Sequence, residues 1–350
     1  MTNQIVPPYL LESIAAADLP HAAPAARQTL AIGRPQHARA ARTQLELSVE
    51  NGDTLVAVSE PAPDRTIADA GGTRNLPGRT VRREDDQPVA DTAVNQAYDG
   101  LGATFNFYWE AYRRRSIDGR GLALDATVHY GQGYDNAFWN GQRMVFGDGD
   151  GEVFTDFTGN LTVIAHELTH GVTENSAGLD YSGQSGALNE SVSDVFGALT
   201  EQWSRNQTAD QASWLIGEGL FTAKVHGVAL RSMKAPGTAY DDPALGTDPQ
   251  PATMAGYVHT GDDNGGVHIN SGIPNHAFYL AAAAIGGYAW QRAGLVWYKT
   301  LTGGSLESSS DFAAFARATI ATASTEFGAD AAETAAVASA WRQVGVLSDA

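Results

Sequence analysis

His166-Glu167-Leu168-Thr169-His170 constrains this chain more than any other stretch, because its two histidines can act together only on a helix. On a helix, residues i and i+4 share a face, with Cβ atoms about 5–6 Å apart. Two imidazoles so placed can close on one Zn²⁺ at about 2.0–2.1 Å each. Glu167 is turned about 100° from His166, so it flanks the metal, where a base acting on water at the metal belongs. Leu161, Val163, Ile164 and Ala165 precede the motif. The helix is therefore largely buried, and buried histidines need partners.

A catalytic tetrahedral site takes three protein ligands and keeps a fourth position open. The chain contains no Cys, which removes disulfides, thiolate ligands and a cysteine nucleophile. The third ligand is then His, Asp or Glu. Asn189-Glu190-Ser191-Val192-Ser193-Asp194 opens a second helix and sets Glu190 and Asp194 at i and i+4. One of these carboxylates can bind the metal while the other accepts the outer N–H of a ligand histidine, which fixes the tautomer. A purely structural zinc would need a fourth protein ligand, and only three can be identified.

At 350 residues the chain fits two domains better than one. Residues 51–95 alternate apolar and polar, as in Thr54-Leu-Val-Ala-Val58 and Arg79-Thr-Val-Arg82, and predict strands and hairpins. A helix is expected over 91–115, then strands and turns over 122–157, with Gly147-Asp-Gly-Asp-Gly151 as a tight polar loop. Helical period dominates afterwards, over 161–173, 187–203, 273–285, 311–325 and 331–341. This pattern predicts an α+β pair of lobes with the helix at 161–173 at the join.

The net charge is −18, which argues against nucleic acid as a partner because phosphates repel an acidic surface. No apolar run approaches the roughly 20 residues that cross a bilayer, so no membrane partner is expected. The charge is uneven. Arg27, Arg34, Arg39 and Arg42 against Glu12 and Asp18 give residues 1–43 a net of +2, leaving −20 for the rest. A basic arm on an acidic body suggests that the arm docks there. Pro7-Pro8 should be extended, and 9–17 a short amphipathic helix. No Lys or Arg precedes residue 27 and no apolar run follows Met1. The expectation is a cytoplasmic protein, or one exported by a route without a cleavable signal.

These residues, together with Asn136-Ala-Phe-Trp139-Asn-Gly, Gly186-Ala-Leu-Asn-Glu190, Leu230-Arg231-Ser-Met and Asp263-Asn-Gly-Gly-Val-His268-Ile-Asn-Ser-Gly, resemble the thermolysin family of neutral metalloproteases. They are closest to its branch with short prosegments, and the resemblance runs from about Arg65 to the C-terminus. It implies an α+β, two-lobe fold: a prosegment over 1–50 with its boundary within about 43–60, a β-rich lobe over 60–160, a central zinc helix over 161–176 and a helical lobe over 177–350. It implies a zinc endopeptidase, probing peptide and protein substrates as a monomer, in which His166, His170 and Glu190 bind zinc and Glu167 is the general base. Asp194 would orient His166, Asn189 would support His170, and Tyr181 and His268, the latter held by Asp263, would hydrogen-bond the oxyanion. Asn136, Arg231 and the Ala137 backbone would grip the substrate on the leaving-group side. Phe154, Phe157, Val163, Ile216 and Leu230 would form a pocket for a bulky apolar residue after the cut. Taken alone, His268 reads as a structural histidine and Arg231 as an ion-pair residue.

The sequence departs from the family at its double calcium site. Glu201 and Glu218 are present, but Thr162, Ser213 and Leu215 stand where carboxylates are needed, and a further position near Val228 lacks its Asp. Hard cations require many oxygen ligands, so calcium in the helical lobe is expected to be absent or weak. Pro7-Pro8-Tyr9-Leu10-Leu11 resembles the prosegment motif of the short-prosegment branch, and the arm is expected to chaperone folding and block the cleft. An exopeptidase would need a charged group to hold a substrate terminus, and no motif suggests one.

Overall fold

The computed structural model describes residues 4–32 and 61–348. The arm forms two helices, α1 (Pro8–Ala16) and α2 (Ala22–Ile32), packed against each other. Pro7 is extended (φ −65°, ψ 149°), but Pro8 opens α1 instead of continuing the extension. A proline at the first helical position loses nothing, because its missing N–H would have had no partner. The apolar side chains Leu10, Leu11 and Ile14 face inward and are buried. Helix α2 was not apparent in the sequence, since the face it buries is built of Ala and Thr, with a Pro inside its first turn, and lacks the large apolar residues that mark a buried face. The strand expected at 54–58 and the prosegment boundary lie outside the described residues.

The next segment supplies a five-stranded sheet and one long helix. Strands β1 (Arg65–Asp69), β2 (Arg79–Arg83), β3 (Leu124–Val128), β4 (Ala137–Trp139) and β5 (Met144–Phe146) lie in the order β2-β1-β3-β5-β4. β1–β3 and β3–β5 are parallel, and the two outer pairs are antiparallel. β4 is therefore an edge strand, with one side free to receive another extended chain. Helix α3 (Thr92–Tyr112) covers the sheet, with Asp91 as its N-cap accepting from Ala93 and Val94.

The same Asp91 reaches His129. The ring of His129 lies 2.9 Å from Asp91 Oδ2 and 2.8 Å from Asp148 Oδ1, tying the 147–151 loop to the start of α3. Burial opposes charge on His129, but Asp91 and Asp148 outweigh it and raise its pKa. A histidine raised by folding stabilises below its unfolded pKa of about 6.5 and loses that contribution as pH rises through the folded value. His129→Gln is therefore expected to lower the Tm at about pH 6 and to matter progressively less by about pH 9, as thermal melts across that range would show.

The second half is helical. α4 (Leu161–Glu174), capped by Asn160, packs along α5 (Gly183–Ser204), which begins four residues earlier than its periodicity indicated. Their close approach requires Gly197, where a Cβ would sit 2.7 Å from the Thr162 carbonyl oxygen. Two short ribbons follow, β6 (Leu215–Ile216) with β7 (Arg231–Ser232), and β8 (Asp241–Asp242) with β9 (Gly246–Thr247). Then come α6 (Asp263–Asn270), α7 (Gly272–Ile285), α8 (Ala293–Thr302), α9 (Phe312–Phe327) and α10 (Ala332–Gln343). Helix α8, with its Val, Trp and Tyr, was missed in the sequence; packing rather than propensity makes it helical. Its Trp297 stacks on Trp341 of α10 at 6.0 Å. Among the described residues no helix is long and apolar enough to cross a membrane.

Candidate metal centre and substrate cleft

His166 and His170 lie one turn apart on α4, and both are buried. Their Nε2 atoms are 3.1 Å apart. Glu190, entering from α5, places Oε2 3.4 Å from His166 Nε2 and Oε1 3.5 Å from His170 Nε2. A tetrahedral ion with bonds of about 2.0–2.1 Å sets neighbouring ligand atoms about 3.4 Å apart, so these three donors suit Zn²⁺. The outer nitrogens fix the tautomers. His166 Nδ1 lies 2.8 Å from Asp194 Oδ1, and His170 Nδ1 lies 2.8 Å from Asn189 Oδ1. With their protons directed outward, both Nε2 atoms turn lone pairs toward one point. The Glu190 Oε2 atom is buried without a hydrogen-bond partner, as an oxygen kept for a cation would be. Among the described residues this is the one cluster of three or more His, Asp or Glu able to hold a metal.

The surrounding charges keep the Glu190 and Asp194 carboxyls ionised. Burial works against ionisation of Glu190, yet His268 and His170 hold its carboxyl well below the usual range. Burial likewise opposes charge on Asp194, but Arg231 and His166 bring it down to about 2. Arg231 forms a bidentate pair with Asp194, Nε to Oδ2 and Nη2 to Oδ1, each at 2.8 Å.

Glu167 stands beside this centre. The Trp139 backbone N–H, on edge strand β4, donates to its Oε2 at 3.0 Å, and its Oε1 is buried without a partner. Burial raises its pKa to about 8, close to the range in which a group both takes and returns a proton. On the other side, α6 opens with four residues of positive φ: Asp263 (50°), Asn264 (53°), Gly265 (86°) and Gly266 (75°). This left-handed turn folds the Asp263 carboxylate back onto His268, 2.6 Å from Nδ1. The Tyr181 hydroxyl donates to Glu190 Oε1 and lies 3.3 Å from His268 Nε2.

The arm fills the groove between these elements. The Ile5 N–H donates to the Ala137 carbonyl at 3.2 Å, and Arg231 Nη1 donates to the Ile5 carbonyl at 3.1 Å. Asn136 holds Val6 from both sides, accepting its N–H at 3.0 Å and donating to its carbonyl at 3.1 Å. His268 Nε2 donates to the Gln4 carbonyl at 3.1 Å. Burial opposes charge on His268, but Asp263 and Glu190 outweigh it and raise its pKa. Ile5 and Val6 are fully buried and belong to the apolar cluster that also contains Phe154, Phe157, Val163, Ile216 and Leu230. Ile216 pairs with Arg231 across β6–β7, and Val163 lies one turn before His166 and Glu167.

Arg27 bonds to the Ala15 carbonyl inside the arm itself, and Arg34, Arg39 and Arg42 lie outside the described residues. Backbone hydrogen bonds, the apolar face of α1, and Glu152 hold it; Glu152 Oε2 accepts the N–H groups of His21 and Ala22 at the start of α2.

Family models of the thermolysin metallopeptidase catalytic domain and its alpha-helical domain match residues 41–174 and 177–346. The chain belongs to the thermolysin family of metallopeptidases. Thermolysin-family relatives include an extracellular metalloprotease of Pectobacterium carotovorum subsp. carotovorum, 50% identical over 342 residues, or 98% of this chain and 96% of that protein. Protease PrtS of Photorhabdus sp. (strain Az29) is 50% identical over 301 residues, 85% of this chain and 80% of its own length. The solved structure of the precursor of protealysin, a metalloproteinase from Serratia proteamaculans, matches with a TM-score of 0.89 at 50% identity, covering 99% of this chain and 100% of that one. The protein is a thermolysin-like zinc metalloendopeptidase precursor, with a sheet-containing N-terminal catalytic domain and an α-helical C-terminal domain.

Reading the residues alone missed five contributors. Ile5 and Val6, two β-branched residues before a Pro-Pro pair, do carry a signal for extended chain. Ser193 adds a hydroxyl 3.0 Å from His170 Nδ1, and Tyr134 receives the Gln4 side-chain amide at 3.1 Å. The Trp139 N–H is a backbone group and leaves no trace in a side-chain motif.

Proposed function

We propose that this protein is a latent endopeptidase that cuts on the amino side of a bulky apolar residue and is blocked by its own arm. The observation that carries this reading is the set of hydrogen bonds on Gln4, Ile5 and Val6. Groups expected to grip a substrate backbone on the leaving-group side, Asn136, the Ala137 carbonyl and Arg231, are all taken by the arm. Ile5 then stands where the residue after the cut would stand, and the complete burial of its aliphatic side chain supports the apolar preference.

Zn²⁺, when held by His166, His170 and Glu190, would polarise the peptide carbonyl and activate water. Glu167 takes a proton from the attacking water at Oε1 and delivers it to the leaving nitrogen. The Trp139 N–H keeps the other oxygen fixed while this happens. His268, held by Asp263, and Tyr181 donate to the carbonyl oxygen as charge builds on it, a contribution of about 3–4 kcal/mol for such a donor. Asp194 and Asn189 hold the two imidazoles in the tautomers that face inward.

Calcium is not part of this reading. Glu201 is ion-paired with Arg205 at 3.0 Å, and Thr162 Oγ1 accepts the Gly217 N–H at 2.9 Å. Extracellular relatives favour export of this chain as well, with the arm, bounded somewhere within about 43–60, removed afterwards. The enzyme is proposed to act as a monomer on peptides and proteins.

Casein digestion with and without a chelator tests the assignment. Chelation of the processed enzyme is expected to abolish cleavage, and added Zn²⁺ to restore it. Digestion that continues unchanged with the metal removed would end the reading, and release of single amino acids alone would favour an exopeptidase.

A further inference from the structure

We propose that Asn275 is a positioning residue of the metal centre: its side-chain amide orients Asp194, and through Asp194 both the zinc ligand His166 and the clamp Arg231. The inference rests on the reading of His166 as a metal ligand. Asp194 is fully buried, and each of its oxygens meets two donors. Oδ1 receives His166 Nδ1 and Arg231 Nη2, each at 2.8 Å. Oδ2 receives Arg231 Nε and Asn275 Nδ2, also at 2.8 Å each. The fourth donor comes from α7, the helix that follows directly on the His268 element, so Asn275 joins the two halves of the centre.

The chemistry of the partner fixes which way this amide points. Its oxygen against a carboxylate would be repulsive, so Nδ2 faces Asp194. Asn275 is itself fully buried, and its Oδ1 finds no donor among the described residues. If the position served packing alone, an aliphatic side chain would fill it without burying an unpaired oxygen. What the amide adds is one N–H aimed at Asp194. Without it, Oδ2 keeps a single donor and the carboxylate is free to tilt, carrying with it the Nδ1–H contact that sets the His166 ring. Residues supporting a ligand histidine in this way typically change metal affinity by about 10–100-fold.

Two substitutions in the full chain separate positioning from packing. Asn275→Ala removes the donor and leaves a small void. Asn275→Asp keeps the shape but replaces the donor with a carboxylate facing Asp194. Zinc affinity, measured by competition with a chromophoric chelator, is expected to fall about tenfold for Asn275→Ala and more for Asn275→Asp. The deficit of Asn275→Asp relative to wild type should narrow as pH falls toward about 5.5, where protonation gives the new carboxyl an O–H to donate. A packing role predicts the reverse order, with Asn275→Ala the worse. That order, or zinc affinities within about twofold of wild type for both variants, would overturn the proposal while leaving the metal reading intact. A wild-type chain that takes up no zinc would overturn both.

Discussion

Exchange of Glu167 for Gln is expected to lower peptide hydrolysis by about 10³-fold while the protein still takes up one zinc ion. Gln keeps the oxygen that accepts the Trp139 N–H, so the side chain stays in place. What it loses is the ability to take a proton from water and return it to the leaving nitrogen. The substitution should also be stabilising in the metal-free protein. Burial raises the pKa of Glu167 to about 8, and an acid whose pKa is raised by folding destabilises the fold at any pH above its unfolded value. The neutral amide removes that penalty at neutral pH. Activity within about tenfold of wild type, in protein whose zinc content is verified, would rule Glu167 out as the base.

Placing a charge at the buried tip of the arm should have a large effect in the opposite direction. Ile5 is fully buried in the cleft, and its N–H and carbonyl are both engaged by the body. Ile5→Asp asks the cleft to bury a carboxylate at a position now filled by an aliphatic side chain. A cost of roughly 3 kcal/mol corresponds to about 10²-fold weaker seating of the arm. Intact chain carrying Ile5→Asp should therefore cleave a small quenched peptide about 10²-fold faster than intact wild type, with Ile5→Leu close to wild type. Mass spectrometry on the assayed sample must show the arm uncut. Equal latency in Ile5→Asp and wild type would mean that the arm does not block through this contact.

Much of the site is legible in sequence because its rules are local. The i, i+4 spacing that brings His166 and His170 onto one face holds for any helix, and the apolar run before them says the face is buried. Asp263 and His268 are five residues apart, yet nothing in the spacing revealed a left-handed turn joining them; two adjacent glycines were the available hint. Contacts such as Gln4 to His268 or Asn275 to Asp194 span 264 and 81 residues, and no periodicity reports pairs so distant. The arm shows a second kind of failure. Its positive charge suggested docking, but the hydrogen bonds from extended backbone and the cap on α2 that seat its described part left no such signal, because backbone groups look alike in every sequence.

The choice between Glu190 and Asp194 marks the division most clearly. The sequence by itself determined that two histidines and a carboxylate from the next helix would share a metal, because helical period is set by backbone geometry alone. Spacing left both carboxylates eligible. Only the packing of α5 on α4, at a distance permitted by Gly197, turned Glu190 toward the inner nitrogens and Asp194 toward the outer one. Tertiary structure alone also put Ile5 and Val6 in the cleft, because an edge strand accepts whatever extended chain the rest of the fold delivers to it.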